Sequence, residues 1–380
     1  MLTEKIWRGV ELLLDAYVGL RSDDFVVLLY TSDSHEAAIW VSAALEMRCA
    51  RFSRVSMAPL HDPQFPAKLR VALPPLERLT GRLIILSFER DTMSHTSTLN
   101  AVLAPYMPDR CAVFRAISTS DELFADAMSV SPQELSARNT SILERCMRNR
   151  KFRITTGGGT NLDVRIDSDR HRWISNRGMS KPGGTVVLPA GEVATFPASI
   201  SGVFVADFAF NVNAITGRDA RLGRFPVTVT IENGQATDYF CEDVSTMAFL
   251  RDCFERPYAR NVGELGFGTN YGVSEAIAMN SHINERRPGV HIGFGQHNQD
   301  PGVVNYQCDL HLDLIAKGGT IWADENADSL DLEQFTPSAN PHPLTPRDED
   351  VFSPDSEIAA GGDCCGILQD DGLRLCEIKL

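Results

Sequence analysis

Three apolar runs, "DFVVLLYT" from Asp24, "RLIILSF" at 82–88 and "CAVFRAI" at 111–117, are separated by stretches of helical periodicity. A strand without a polar face must be covered on both sides, and the intervening helices are the natural covers. The pattern therefore predicts an α/β layer with parallel strands. Its helices are the leading segment to about Tyr17, "SHEAAIWVSAALEMRC" with Ser32 or Ser34 as its cap, "TSTLNAVLAPY", and "SPQELSARNTSILERCMRN". Neither a GxxxxGK[ST] nor a GxGxxG joins the first strand to its helix, so this region offers no phosphate cradle. It reads as scaffold, as a wall of the site, or as a subunit interface.

After Arg150 the texture changes. "KFRITTGGGTNLDVRI", "GTVVLPAGEVATFPAS" and "GVFVADFAF" are short β-rich pieces broken by glycine and proline. "RFPVTVTIENGQATDYF" predicts a hairpin turning at Asn233-Gly234, and "DVSTMAFLRDCFE" a helix. A single core stops growing at roughly 250–300 residues, so 380 residues imply two domains. The boundary falls near residue 150: an α/β scaffold domain over 1–150, then a mixed α+β domain over 151–380 whose sheet or partial barrel carries the site. Residues 337–357 are proline-rich and acidic and read as a loop, whereas "GILQDDGLRLCEI" alternates well enough to close as a small hairpin.

Asp and Glu outnumber Lys and Arg by 50 to 36, for a formal charge of -14, and that field repels a phosphate backbone. Nucleic acid is excluded as an expected partner. No run approaches the roughly 20 apolar residues that cross a bilayer, and the charged amphipathic start lacks a secretory cleavage pattern, so the chain is expected in the cytoplasm with no membrane partner. Nine cysteines form no CxxC, which argues against a disulfide framework and a thiolate zinc site. The adjacent Cys364 and Cys365 are read as reduced structural residues.

Four segments place acids or imidazoles beside glycine or proline turns: "LPAGEVATFP" with Glu192, "NVGELGFGTN" with Glu264, "GVHIGFGQHN" with His291 and His297, and "CDLHLD" with His311 and Asp313. On a strand, positions i and i+2 share a face, so His311 and Asp313 converge while Leu312 points to the core. The glycines after His291 let its backbone approach another element closely. His297 is kept outside the direct ligands. Three carboxylates and two imidazoles suit two borderline divalent ions such as Zn²⁺, Co²⁺ or Mn²⁺. The rival arrangement is one Fe(II) held by two histidines and one acid, with positions open for oxygen and a chelating aromatic substrate.

The segments "GTNLDVRI", "HRW", "LPAGEVATFP", "NVGELGFGTN", "GVHIGFG" and "HLD", in that order, resemble the M29 metallo-aminopeptidases of the aminopeptidase T type. The resemblance covers roughly residues 150–325. It implies a two-metal centre held by Glu192, Glu264, His291, His311 and Asp313, with Glu264 bridging and Glu192 either ligating or sharing in proton transfer. It also implies a tyrosine that stabilises the oxyanion, for which Tyr306 is the candidate, a peptide or small amide substrate, and a homodimer. Arg172 and Asn305 are candidate substrate contacts. The chain is similar, more distantly, to the 2,5-dihydroxypyridine 5,6-dioxygenase group, which holds one non-haem iron. That group carries a histidine where Glu264 stands here, which favours the hydrolase-like centre. A binding or assembly protein that keeps the fold without turnover is the third class.

Overall fold

The computed structural model describes residues 2–90, 93–107, 109–180, 183–300, 302–323 and 329–344, with the backbone of 366–369 and 372–375. Packing divides the described residues into two compact units, those within 2–133 and 178–190 in one and those within 134–177, 191–344 and 366–375 in the other.

The first unit opens with helix α1 (Glu4–Leu12), continued by a π-helical turn to Tyr17. The apolar runs then form strands β1 (Phe25–Thr31), β3 (Leu83–Phe88) and β4 (Cys111–Ala116), joined by the more polar β2 (Arg51–Met57). Helices α2 (His35–Met47), α3 (Phe65–Ala72), α4 (Thr96–Leu103) and α5 (Asp121–Ala125) alternate with them. Every residue of β3 and β4 is buried, as expected of strands covered on both faces. Ser34 precedes α2, but its hydroxyl donates to the Phe88 carbonyl at 2.6 Å, so the N-terminal side-chain exchange is between Thr31 and Ser34 instead.

Helix α6 (Pro132–Arg148) ends where the composition changes near residue 150, whereas by packing the second unit begins at Glu134. Strands β5 (Lys151–Thr155), β6 (Asn161–Arg165) and β7 (Trp173–Asn176) follow. The chain then supplies β8 (Thr185–Leu188) to the first unit, where it pairs parallel to β4. The first sheet is thus all parallel in the order β2-β1-β3-β4-β8. Glycine and proline punctuation had grouped this run with the second region.

The second unit continues with β9 (Glu192–Thr195), β10 (Ser199–Ala206), β11 (Ala209–Val212) and the hairpin of β12 (Val227–Glu232) and β13 (Gln235–Phe240). Asn233 and Gly234 both take positive φ at its turn, 49° and 81°. Helix α7 (Val244–Phe254), capped by Asp243, β14 (Val262–Gly268), helix α8 (His282–Arg286), β15 (Gly289–Gly295) and β16 (His311–Ile315) complete the part that builds the site. Strands β17 (Thr320–Ala323) and β18 (Ser329–Asp331) extend the second sheet, ordered β13-β12-β10-β6-β5-β17-β18. The third sheet runs β11-β16-β15-β14-β9-β7. Both are antiparallel, and Phe204, Leu162 and Ile154 of the second sheet share one core with Leu265, Phe267, Ile292, Phe294, Leu312 and Leu314 of the third. That leaves the other face of the third sheet for polar residues.

Residues 337–344 are irregular and strapped to α6: Ser338 and Asn340 donate to Glu144, and His342 pairs with Thr140. The rest of the 337–357 loop and Cys364 and Cys365 lie outside the described residues. Gly366–Gln369 and Gly372–Leu375 form the small antiparallel pair β19-β20. No helix among the described residues is long and apolar enough to cross a membrane.

In the first unit Arg115 and Glu89, both almost fully buried, form an ion pair. Arg115 also donates to Thr96 and to the Ser94 carbonyl, and Glu89 accepts from the Ser94 amide and hydroxyl. Arg115→Met would strand the Glu89 charge in the interior, an expected loss of about 3–5 kcal/mol in urea unfolding. A loss below about 1 kcal/mol would mean that water reaches Glu89.

Candidate metal centre

Strand register explains how distant segments meet. Across the third sheet, Glu264 of β14 pairs with Gly293 of β15, and Gly293 with Asp313 of β16. Two residues along, Gly266 pairs with His291. His311 faces Gly295, and Glu192 faces Gly268. Period-two alternation therefore puts all five side chains on the face turned away from the core, while Leu265, Ile292 and Leu312 point into it. Glycine at the intervening positions leaves the space that the ligand side chains fill. A Cβ on Gly293 would stand 2.9 Å from Asp313 Oδ1, Glu264 Cβ and His311 Cε1 at once, and one on Gly266 would overlap His291 Nε2.

Two groups with metal-ligating chemistry result, Glu192, Glu264 and His291 in one and Glu264, His311 and Asp313 in the other. Within each group the ligand atoms all lie within 4.8 Å of one another, and Glu264 belongs to both. His291 Nε2 stands 3.1 Å from Glu192 Oε1 and 3.5 Å from Glu264 Oε1, and His311 Nε2 stands 3.1 Å from Asp313 Oδ2. Yet both His291 nitrogens and Asp313 Oδ1 are buried with no hydrogen-bond partner of acceptable geometry. Orphaned atoms of this kind, on one imidazole and one carboxylate, fit a bound cation. These clusters are capable of coordinating divalent ions.

Supporting contacts orient the groups. The His311 Nδ1 lies 3.1 Å from the Gln296 carbonyl, which fixes the proton there and frees Nε2. Asn213 accepts from the His311 amide at 2.8 Å and so anchors the start of β16. Asn298 donates to Glu264 Oε2 at 2.9 Å. Buried Asn139 of α6 donates to the Glu192 carbonyl and accepts from Thr269, tying the helix to β9 and to the end of β14.

Helix α8 adds residues that motif reading missed. Ser281 caps it, and the i, i+3, i+4 spacing turns His282, Glu285 and Arg286 to one side. Arg286 reaches Glu192 Oε2 at 2.7 Å and Glu285 Oε2 at 3.1 Å. Glu285 accepts from Asn211 and stands close enough to Asp313 for the two carboxyls to oppose each other's charge. Burial, reinforced by the Asp313 charge, raises the Glu285 carboxyl well above its usual range. Burial and Arg286 push the half-buried His282 down to about 4. The available signal was the charged run "SHINERR", whose Ser-capped spacing differs from that of a solvated face only once β15 is known to follow.

The other expected residues make the following contacts. Tyr306 stacks on Tyr258 with centroids 5.5 Å apart and meets the His297 ring edge-on; its hydroxyl is buried without a partner. His297 Nε2 bonds the Tyr306 carbonyl. Arg172 is engaged by the Asn298 carbonyl, Gln299 and Asp300, and Asn305 is exposed.

Burial opposes charge on Glu192, His291, His311 and Asp313, but close opposite charges override it. Arg286 and His291 hold Glu192 down to about 2, and the Glu192 and Glu264 carboxylates raise His291 to about 10. His311 is raised in the same way by Asp313. Below those raised values the imidazoles hold protons that an incoming cation must displace. Zinc affinity is therefore expected to rise with pH across the neutral range, by about tenfold per pH unit for each proton released. Calorimetry in buffers of different ionisation heat reads the released protons directly, and a pH-independent affinity would contradict the cluster.

The family of crocagin biosynthetic protein CgnE/B matches residues 198–320, a segment that contains Glu264, His291, His311 and Asp313 but not Glu192. None of the curated proteins matches the chain. Among solved structures, 2,5-dihydroxypyridine dioxygenase from Pseudomonas putida KT2440 superposes with a TM-score of 0.59 at 14% identity, covering 88% of this chain and 99% of that one. AmpT from Thermus thermophilus superposes with a TM-score of 0.52 at 15% identity, covering 86% and 97%. The chain shares its fold with both. At such identities the likeness does not choose between their chemistries.

Proposed function

We propose that the protein is a metal-dependent hydrolase that opens an amide bond at a centre of two divalent ions. The observation that carries this reading is that Glu264 belongs to both ligand groups. A single Fe(II) site of the facial type needs two histidines and one acid around the same ion. Here each group holds one histidine and two carboxylates, and by register His291 and His311 stand two positions to either side of Glu264 along the sheet.

When bound, such ions polarise a carbonyl and bring a water toward ionisation near neutral pH. Glu264 would bridge, with Asn298 fixing its second oxygen. His311 presents Nε2 because its Nδ1 proton is committed to Gln296. Glu192, held near 2, stays ionised at neutral pH and suits a ligand better than a proton carrier. The unpartnered hydroxyl of Tyr306 suits a donor to a developing oxyanion; Tyr306→Phe is expected to lower kcat by roughly 10²-fold with metal content unchanged. The biosynthetic role named for the matching family supports a small metabolite as substrate, in preference to general peptide turnover.

Metal analysis of the purified chain, followed by a screen of unblocked dipeptides and small amides, tests the reading. About two ions per chain and chelator-sensitive amide cleavage are expected. Oxygen consumption with a dihydroxypyridine or catechol under Fe(II), without amide cleavage, would replace it with ring-cleaving dioxygenase chemistry. Metal loading without turnover of either class would leave a binding or assembly protein.

A further inference from the structure

We infer that Arg286 is a positioning residue that makes the two metal subsites unequal, the one formed by Glu192, Glu264 and His291 being the weaker. The inference rests on the two-ion reading of the centre. Arg286 and Glu192 are side chains only 4% and 10% exposed, so water screens their pairing little. The guanidinium occupies Glu192 Oε2 at 2.7 Å and leaves Oε1, on the His291 side, as the oxygen available to a cation. Arg286 cannot swing clear at low cost, because Glu285 holds the same NH1 at 3.1 Å and Asn211 in turn donates to Glu285. A fixed positive charge on one ligand repels a second positive charge arriving at that ligand. The unshared carboxylates differ: Glu192 carries the guanidinium, whereas Asp313 pairs with His311 at 3.1 Å; Glu264, bonded by the neutral amide of Asn298, is common to both groups. A first ion thus settles between Glu264, His311 and Asp313, and a second enters against the guanidinium.

Titration of the metal-free chain with Co²⁺, followed by visible absorption and calorimetry, tests this independently of turnover. The wild type is expected to fill in two steps at least about tenfold apart in affinity. Arg286→Gln, which removes the charge, is expected to tighten the second step at least about tenfold, whereas Arg286→Lys, which keeps it, preserves the wild-type separation. Glu192→Gln is expected to abolish the weaker step alone, and it serves if Arg286→Gln fails to fold. Two equal steps in the wild type, a second step unmoved or weakened by Arg286→Gln, or loss of the tighter step in Glu192→Gln would overturn the inference while leaving a two-ion centre intact. Failure of the wild type to bind any Co²⁺ would overturn the two-ion reading itself, and the inference with it.

Discussion

Glu264→Ala is expected to release both ions together. Each ligand group would be left with two residues, because among the described residues Glu264 is the ligand that the two groups share. Metal content after dialysis should fall from about two equivalents to a trace, and any turnover should drop at least roughly 10³-fold, as when charge stabilisation at the reacting atoms is removed. The metal-free fold should not suffer, because deleting one of several crowded buried carboxylates relieves repulsion as well as attraction. Circular dichroism and urea midpoints distinguish this from unfolding. A variant that still held two ions would show that Glu264 is not the shared ligand.

Adding one methyl group to Gly266 is expected to have the second-largest effect. Gly266 sits opposite His291 in the register, and its Cβ would occupy the space of the imidazole Nε2. The ring must turn away, so Gly266→Ala should lose one equivalent of metal while the Glu264, His311 and Asp313 group keeps the other. Overpacking at such a site costs about 1–3 kcal/mol, readable as a lowered thermal midpoint. Gly293→Ala is the matched comparison: its methyl would press on Asp313, Glu264 and His311 together, and both equivalents should weaken. If Gly266→Ala bound metal like the wild type, the imidazole would not be where the structure has it.

Periodicity carries far in this chain wherever burial is two-sided or alternates cleanly. The apolar runs that became β1, β3 and β4 have one reading each, and "HLDL" alternates strictly, so His311 and Asp313 share a face with Leu312 behind them. Glu264 was harder: between glycines it reads equally as a loop acid, and an irregularity in the β14 register at Val262 and Glu264 disturbs the alternation that would have marked it. Pairing between distant strands leaves almost no local trace. Nothing in "TVVL" says that β8 pairs with β4 instead of with its sequence neighbours. Glu285 and Arg286 were hidden for another reason: charged residues on a short helix normally face water, and only their packing against Glu192 and Asp313 makes them part of the site.

The late arrival of β8 bears on how the protein can be cut. A fragment ending after α6 would look, by sequence, like a complete α/β domain. It would nevertheless expose the edge of β4 that β8 covers over Val113–Ala116, a buried stretch whose outward amides and carbonyls would be left unpaired, which is a ready template for aggregation. Soluble expression of the amino-terminal portion thus calls for the Gly178–Ala190 segment to be supplied with it, joined by a linker or added as a peptide.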